Sequence, residues 1–201
     1  MAAALKLGIL GSGRGSNFLA IDQAISAGTL EASIKLVASD LNNAPILEAA
    51  RDRGLATYAC PSGQFKTKLE PEIEQALAQT LLAHEVDLVV LAGFMRVVKT
   101  PLLEAFPSRI INIHPSLLPD FKGLAAWKQA LEAGVQETGC TVHWVDDSLD
   151  GGPIIDQARV PVLEGDTPES LHSRIQTAEH TLFPDVLQRM ATGKITIPTA
   201  E

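Results

Sequence analysis

The chain has 201 residues, 46% of them apolar and 20% charged, with a formal net charge of −8. That is enough for one globular domain with a real core. The acidic balance, with no basic cluster, argues against a nucleic-acid surface, and no apolar run approaches the roughly 20 residues that span a bilayer.

Taken in chain order, the pattern alternates strand and helix. Leu5 to Leu10 reads as an apolar strand that runs into Gly11-Ser12-Gly13-Arg14-Gly15-Ser16-Asn17, and Phe18, Leu19, Ile21, Ala24 and Ile25 then recur at helical spacing. Ile34 to Ala38 predicts a second strand, about Pro45 to Arg53 a helix, and Ala56 to Tyr58 a short strand before the polar loop Pro61-Ser62-Gly63. Pro71 suits a first helical turn and opens a helix to His84. Asp87 to Leu91 is continuously apolar after its first residue, as a strand covered on both faces should be. A short helix around Leu102 to Phe106 precedes a strand at Ile110 to His114, which Pro115 ends because proline cannot donate to a ladder. Trp127 to Ala133 predicts a helix, and Gly139 to Val145 and Ile154 to Val162 two strands. The last helix starts at the cap-like Thr167-Pro168-Glu169 and runs past Leu182, with Pro184 expected to bend or split it. The expected fold is α/β: a doubly wound, mostly parallel sheet with helices on both faces, Rossmann-like in its N-terminal half and more irregular towards its C-terminus. Ligands of such sheets bind beyond the carboxyl ends of the strands, near a switch in strand order.

Cys60 and Cys140 have neither CxxC spacing nor a zinc-like partner set, so inert thiols in a reducing cytoplasm are expected, and no metal. Met1-Ala2-Ala3-Ala4-Leu5-Lys6 lacks the basic start and cleavage site of a secretory signal, which also predicts a cytoplasmic protein.

Four constellations bear on chemistry. Gly11, Gly13 and Gly15 lie between a strand and a helix but do not make GxGxxG, since Ser16 occupies the position that pattern needs. Asp40 is the nearest acidic candidate for a ribose and is not well placed for one. Glycines free backbone N–H groups to face an anion, and the helix dipole favours it, so a phosphate monoester suits this loop better than a dinucleotide. A tight turn with no ligand accounts for the loop equally well. In Asn112-Ile113-His114-Pro115-Ser116-Leu117-Leu118-Pro119, alternation puts Asn112 and His114 on one face and Ile111 and Ile113 on the other. A carboxamide and an imidazole at a strand end can hold an oxyanion and move a proton. Asp150, in Asp147-Ser148-Leu149-Asp150-Gly151-Gly152-Pro153, can approach that histidine, hold it protonated and accept a proton from an amine through water. Alone, Asp150 reads as an ordinary Asp-Gly turn; the three together are harder to dismiss. Gln176 and Glu179, three apart on the last helix, suit an amide and an amine on a substrate, although a solvated helix face is the commoner reading. Met95-Arg96-Val97-Val98 reads equally as packing plus a surface arginine.

With these residues in place the chain resembles the phosphoribosylglycinamide formyltransferases, the folate-dependent glycinamide ribonucleotide transformylases. The resemblance runs from Gly13-Arg14-Gly15-Ser16-Asn17 through Val89-Val90-Leu91-Ala92-Gly93-Phe94-Met95-Arg96, the Asn112 to Pro119 block and Asp150-Gly151-Gly152-Pro153 to Gln176-Thr177-Ala178-Glu179-His180. It implies transfer of the formyl group of 10-formyltetrahydrofolate, a cosubstrate, to the amine of glycinamide ribonucleotide in purine synthesis. His114 would be the general acid for the tetrahedral oxyanion, with Asn112 donating to the same oxygen, and Asp150 would raise the pKa of His114 and relay a proton. Gly15, Ser16 and Asn17 would meet the phosphate and ribose, and Gln176 and Glu179 the glycinamide end. Met95, Arg96, Val97 and Val98, with Asp146, Asp147, Ser148, Leu149 and Asp150, would wall the pterin. Lys68 would meet an anionic end of a ligand. The resemblance further implies one domain over 1–201: a ribonucleotide-binding half over about 1–100, then a folate-binding and catalytic half over about 101–201. The partners would be small molecules rather than nucleic acid or membrane, and the chain a monomer or homodimer. Arg14 stands where relatives often carry asparagine, Lys68 where they carry arginine, which loses the bidentate fork, and Ala125 where histidine is common.

The competing readings are a formyltetrahydrofolate hydrolase, which would carry an additional N-terminal regulatory domain, whereas here the first strand starts at about residue 5; transfer to methionyl-tRNA, which would need an added C-terminal domain and a basic surface; and a nucleotide-sensing or degenerate folate-binding module, favoured only by Ala125.

Overall fold

The computed structural model describes residues 4–61 and 63–198. Ser62, part of the expected polar loop, and residues 1–3 and 199–201 lie outside the described set. The elements are β1 (Leu5–Leu10), α1 (Ser16–Ser26), β2 (Ala32–Ser39), α2 (Pro45–Arg51), β3 (Thr57–Ala59), α3 (Pro71–Ala83), β4 (Leu88–Leu91), α4 (Thr100–Ala105), β5 (Ile110–His114), α5 (Ala126–Glu132), β6 (Glu137–Trp144), β7 (Ile154–Pro161) and α6 (Pro168–Ala191).

One seven-stranded sheet has the order β3-β2-β1-β4-β5-β6-β7. The first five strands pair in parallel, whereas β6 and β7 are antiparallel to their neighbours. The fold is therefore the expected mostly parallel α/β sheet, with its irregularity confined to the last two strands. Alternation sorts the apolar side chains between two layers. Leu88, Val90, Ile111, Ile113, Cys140 and Val142 pack under α1, α2 and α6, while Val89, Leu91 and Ile110 face α3 and α4. The strand order reverses between β1 and β4, so the loops that leave β1, β4 and β5 open at the switch point where ligands of such sheets bind.

Pro184 does not split the last helix. α6 is continuous over its 24 residues, and Thr167 caps it by accepting from Ser170 N. Proline removes one N–H and not the packing: Leu182, Phe183, Val186 and Leu187 on both sides of Pro184 are buried against the sheet, which outweighs one lost bond. Among the described residues, no helix is long and apolar enough to cross a membrane.

Candidate active site

At the end of β1, Gly11 N–H donates to Ala38 O and Ser12 N–H to Gly93 O, tying the glycine loop to both flanking strands. Gly15 caps α1 in the left-handed region at φ 74°, and a Cβ there would lie 2.6 Å from Ile46. Only glycine fits on both counts. α1 begins without a side-chain cap, so the first-turn N–H groups of Ser16 and Asn17 stay available to a ligand. Arg14 is exposed. Asn17 is buried and donates through Nδ2 to Glu179 Oε2 at 2.9 Å, while its Oδ1 is buried without a partner among the described residues. Two proposed ribonucleotide residues 162 positions apart are thereby brought into contact. Burial pushes the Glu179 carboxyl up to about 7, partly offset by the Asn17 bond. Gln176 is half-buried, three residues earlier on α6.

Asp40 is not a ribose ligand in waiting. Its carboxylate accepts from Ser12 Oγ at 2.5 Å and pairs with Arg96 Nε at 2.6 Å, and Ser12 Oγ accepts in turn from Met95 N–H at 2.8 Å. Arg96 also donates to Phe65 O. This latch closes the β1, β2 and β4 loops on one another and aims the Arg96 head inward. Of its neighbours in the expected pterin wall, Met95 is 55% exposed, Val97 half-buried, and Val98 packed in the core beside Leu102 and Phe106, so Val98 can offer a ligand its backbone but not its side chain. Lys68 stands exposed over the Phe65 ring at 4.6 Å and bridges to Val97; it lines a cleft of about 330 Å³ with Lys99 and Glu104.

The catalytic candidates meet where β5 ends. Asn112 and His114 lie on the Ile110 face, opposite Ile111 and Ile113, as alternation requires. His114 is 4% exposed; its Nε2 meets Phe121 O at 2.9 Å and its Nδ1 faces Asp150 Oδ2 at 3.4 Å. A carbonyl can only accept, so Nε2 carries a proton and Nδ1 is the nitrogen that works against Asp150. Asp150 sits at φ 47° and accepts from Gly123 N–H at 2.9 Å. Its turn is pressed on the sheet at Gly152, where a Cβ would come 1.9 Å from Trp144 O. Asp146 accepts from Ser148 N–H and Oγ, which holds its carboxyl below the usual range, whereas Asp147, Ser148 and Leu149 are exposed.

The sequence reading missed His143. It lies opposite Asn112 in the β5–β6 ladder, and Asn112 Nδ2 lies 3.1 Å from its Nε2. His143 Nδ1 meets Trp144 O at 2.8 Å, so the proton is on Nδ1 and Nε2 accepts from Asn112. Burial pushes the His143 pKa down, which makes its 3.9 Å approach to Asp150 Oδ1 a contact with a neutral ring and not an ion pair. Asn112 keeps a second N–H for a ligand oxygen. The turn after β5 contains a cis Leu118–Pro119 bond and is pinned by Thr141, whose Oγ1 donates to Ser116 O and accepts from Leu118 N–H and Gln157 Nε2.

Cys60 and Cys140 are free and fully buried, and burial pushes both thiols up to about 12, so they are inert at neutral pH. Among the described residues, no group of three or more His, Cys, Asp or Glu could hold a metal ion.

Two strand ends in one sheet, one presenting backbone donors and the other a fixed Asn–His–Asp cluster, define a group-transfer enzyme more readily than a binding module. Residues 5–187 match the family model described as formyl transferase, and the chain belongs to that family. It is 40% identical over 187 residues to the phosphoribosylglycinamide formyltransferase of Escherichia coli (strain K12), covering 93% of this chain and 87% of that protein. It is 41% identical over 196 residues to the trifunctional purine biosynthetic protein adenosine-3 of Gallus gallus, matching 98% of this chain but 19% of that longer protein. Among solved structures, glycinamide ribonucleotide transformylase 1 from Symbiobacterium toebii superposes with a TM-score of 0.91 at 45% identity, covering 98% of this chain and 92% of that one.

Proposed function

We propose that this chain transfers the formyl group of 10-formyltetrahydrofolate to the amine of glycinamide ribonucleotide, giving formylglycinamide ribonucleotide and tetrahydrofolate, a step of purine biosynthesis. The observation that carries this reading is the Asn112–His114–Asp150 cluster at the switch point, with His114 Nδ1 turned towards Asp150. Kinship with named phosphoribosylglycinamide formyltransferases supports the acceptor.

The chemistry follows from the groups present. The neutral amine attacks the formyl carbon, forming a C–N bond and placing negative charge on the formyl oxygen. The free Asn112 N–H and a proton on His114 Nδ1 stabilise that oxygen. Asp150 holds the imidazolium, takes a proton from the new ammonium and passes it to N10 of the folate as the oxyanion re-forms the carbonyl and the bond from N10 to the formyl carbon breaks. Protons and electrons balance without metal or redox partner. The Gly15–Asn17 segment meets the phosphate and ribose, and Gln176 and Glu179 the glycinamide end. The Met95–Val98 and Asp146–Leu149 segments wall the pterin, with Val98 acting through its backbone, and Lys68 meets an anionic end of the folate.

Incubating the protein with 10-formyltetrahydrofolate, with and without glycinamide ribonucleotide, tests the reading. Tetrahydrofolate should form only when the ribonucleotide is present. Equal release without it would indicate hydrolysis, and no release at all would indicate a binding module.

A further inference from the structure

Both proposed catalytic groups take a backbone partner from one short segment, the loop between β5 and α5. Phe121 O accepts from His114 Nε2, and Gly123 N–H donates to Asp150 Oδ2, each at 2.9 Å. The two backbone groups are only two residues apart, so the conformation of residues 121–123 sets how His114 Nδ1 meets Asp150. That conformation is not one the chain adopts readily: Phe121, Gly123 and Ala125 all have positive φ, at 55°, 81° and 52°. Nor does a core hold it. Lys122 and Leu124 are exposed, Leu124 to 77%, and Phe121 is only half-buried.

At one end Ser116 Oγ donates to Asp120 O at 2.6 Å, and at the other α5 begins by bonding Lys128 N–H to Ala125 O. Ser116 Oγ also makes a longer contact with Phe121 O at 3.4 Å, and between the two ends a side chain from α5 reaches back. Gln129 Nε2, one turn into α5, meets Lys122 O at 3.1 Å and Leu124 O at 3.0 Å. Both amide hydrogens are used, on the carbonyls either side of Gly123.

We propose that Gln129 is a positioning residue for the transfer reaction: its carboxamide clamps the 121–124 segment so that Phe121 O fixes the proton on His114 Nε2 while Gly123 N–H fixes Asp150. It touches no substrate and acts through the loop, and it rests on the catalytic reading given above. The titratable groups around His114 are Asp150 from the β6–β7 turn and His143 from β6, with Asp146 acting on His143 and Lys122 beside Gly151. Of these, Lys122 meets Gln129 through its backbone carbonyl.

Three substitutions separate a donor clamp from mere packing. Gln129→Glu keeps the shape but sets a carboxylate against two carbonyls. Gln129→Met keeps the length without a donor, and Gln129→Lys keeps donors within reach of both carbonyls. Glu and Met should lower kcat by about tenfold or more with both KM values within about threefold, because misplacing reacting groups costs rate and not ground-state binding. The acid limb of their kcat–pH profile should move, and Lys should recover most of the rate. A readout independent of turnover is the ¹⁵N spectrum of the His114 ring at alkaline pH, which should show the proton on Nε2 in the parent protein and a mixture of tautomers in Gln129→Glu. If the parent protein fails to formylate glycinamide ribonucleotide, the functional reading falls while this ring signal still decides the clamp. Parent-like kcat, pH profile and tautomer in Gln129→Glu would overturn the proposal, as would equal losses in all three variants with an unmoved acid limb.

Discussion

The glycine loop after β1 and the cluster after β5 both stand at carboxyl ends of parallel strands, yet they are built in opposite ways. After β1, the groups that the proposed function turns to a ligand are backbone N–H donors at the start of α1, which has no side-chain cap, and Gly15 leaves no room for a side chain against Ile46. After β5, side chains act and the backbone restrains them. Trp144 O fixes His143, which orients Asn112, while Phe121 O fixes His114 and Gly123 N–H fixes Asp150. Under the proposed function the difference follows from the task. A phosphate of fixed charge needs a field and several donors, which a helix N-terminus supplies with tolerance. A proton that moves during reaction needs its donor and acceptor held to a fraction of an ångström. Side-chain substitutions should therefore be costly in the second region and mild in the first.

The sharpest way to break the comparison is His114→Ala. Transfer should fall by at least roughly a hundredfold, the scale of a positioned general acid, with ribonucleotide binding little changed. Steady-state rates and a binding titration on the same preparation check this, and near-parent turnover would remove His114 from the mechanism. Asp150→Asn should follow, with a loss of about tenfold or more and an altered acid limb, because an amide neither holds an imidazolium nor accepts a proton. Asparagine tolerates the φ of 47° at this position, so the change is one of chemistry and not of backbone. An unaltered pH profile would reduce Asp150 to a turn residue.

How legible each region was in the sequence follows from the range of its contacts. The face shared by Asn112 and His114 is a matter of alternation along five residues ended by Pro115, and the strand is observed at Ile110–His114. Asp150 alone reads as an ordinary Asp-Gly turn and gains weight only beside Asn112 and His114. His143 was hidden because its role depends on the antiparallel register that puts it opposite Asn112, 31 residues away, and nothing local encodes that register. A polar residue in the apolar Gly139–Val145 run was the one available signal. The actual partners of Asp40 were hidden for a similar reason, since Ser12 and Arg96 come from two other loops. Val98 belongs to the core because β4 and α4 close over it, which the Met95–Val98 run alone could not reveal. Pro184 does not split α6, because packing on both sides of it holds the helix together.

Glu179→Gln tests the join between the two regions. Burial pushes the Glu179 carboxyl up to about 7. Between the unfolded carboxylate range and that value the native state holds a proton the unfolded chain has lost, so stability contributed at low pH disappears as pH rises through about 7. The glutamine variant should nearly match the parent in stability near pH 4.5 and exceed it by about 3 kcal/mol at pH 8, an order-of-magnitude figure for a carboxyl buried this deeply. It should also bind the ribonucleotide less well, since an amide cannot face the ligand's amine as a charge. Denaturant midpoints at the two pH values decide it: parallel midpoints would mean Glu179 ionises freely in the folded protein.

The smallest effect belongs to Arg14, the charge that sets this glycine loop apart from a purely backbone-built one. The side chain is exposed, and its charge joins burial in pushing down the pKa of His172 on α6, the helix that carries Gln176 and Glu179. A phosphate at the start of α1 would then meet a guanidinium as well as N–H donors. Arg14→Asn should weaken glycinamide ribonucleotide binding by about 1 kcal/mol and leave folate binding alone, because an exposed pair is screened by solvent and ordering it costs side-chain entropy. Raising the ionic strength should shrink the difference, since a Debye length of about 10 Å at 0.1 M falls to about 3 Å at 1 M. Removing the guanidinium also relieves His172 of a neighbouring positive charge, which would offset part of the loss at acidic pH, so the titration belongs at pH 8. Equal affinities of the two proteins at low salt would show that the loop binds through its backbone alone.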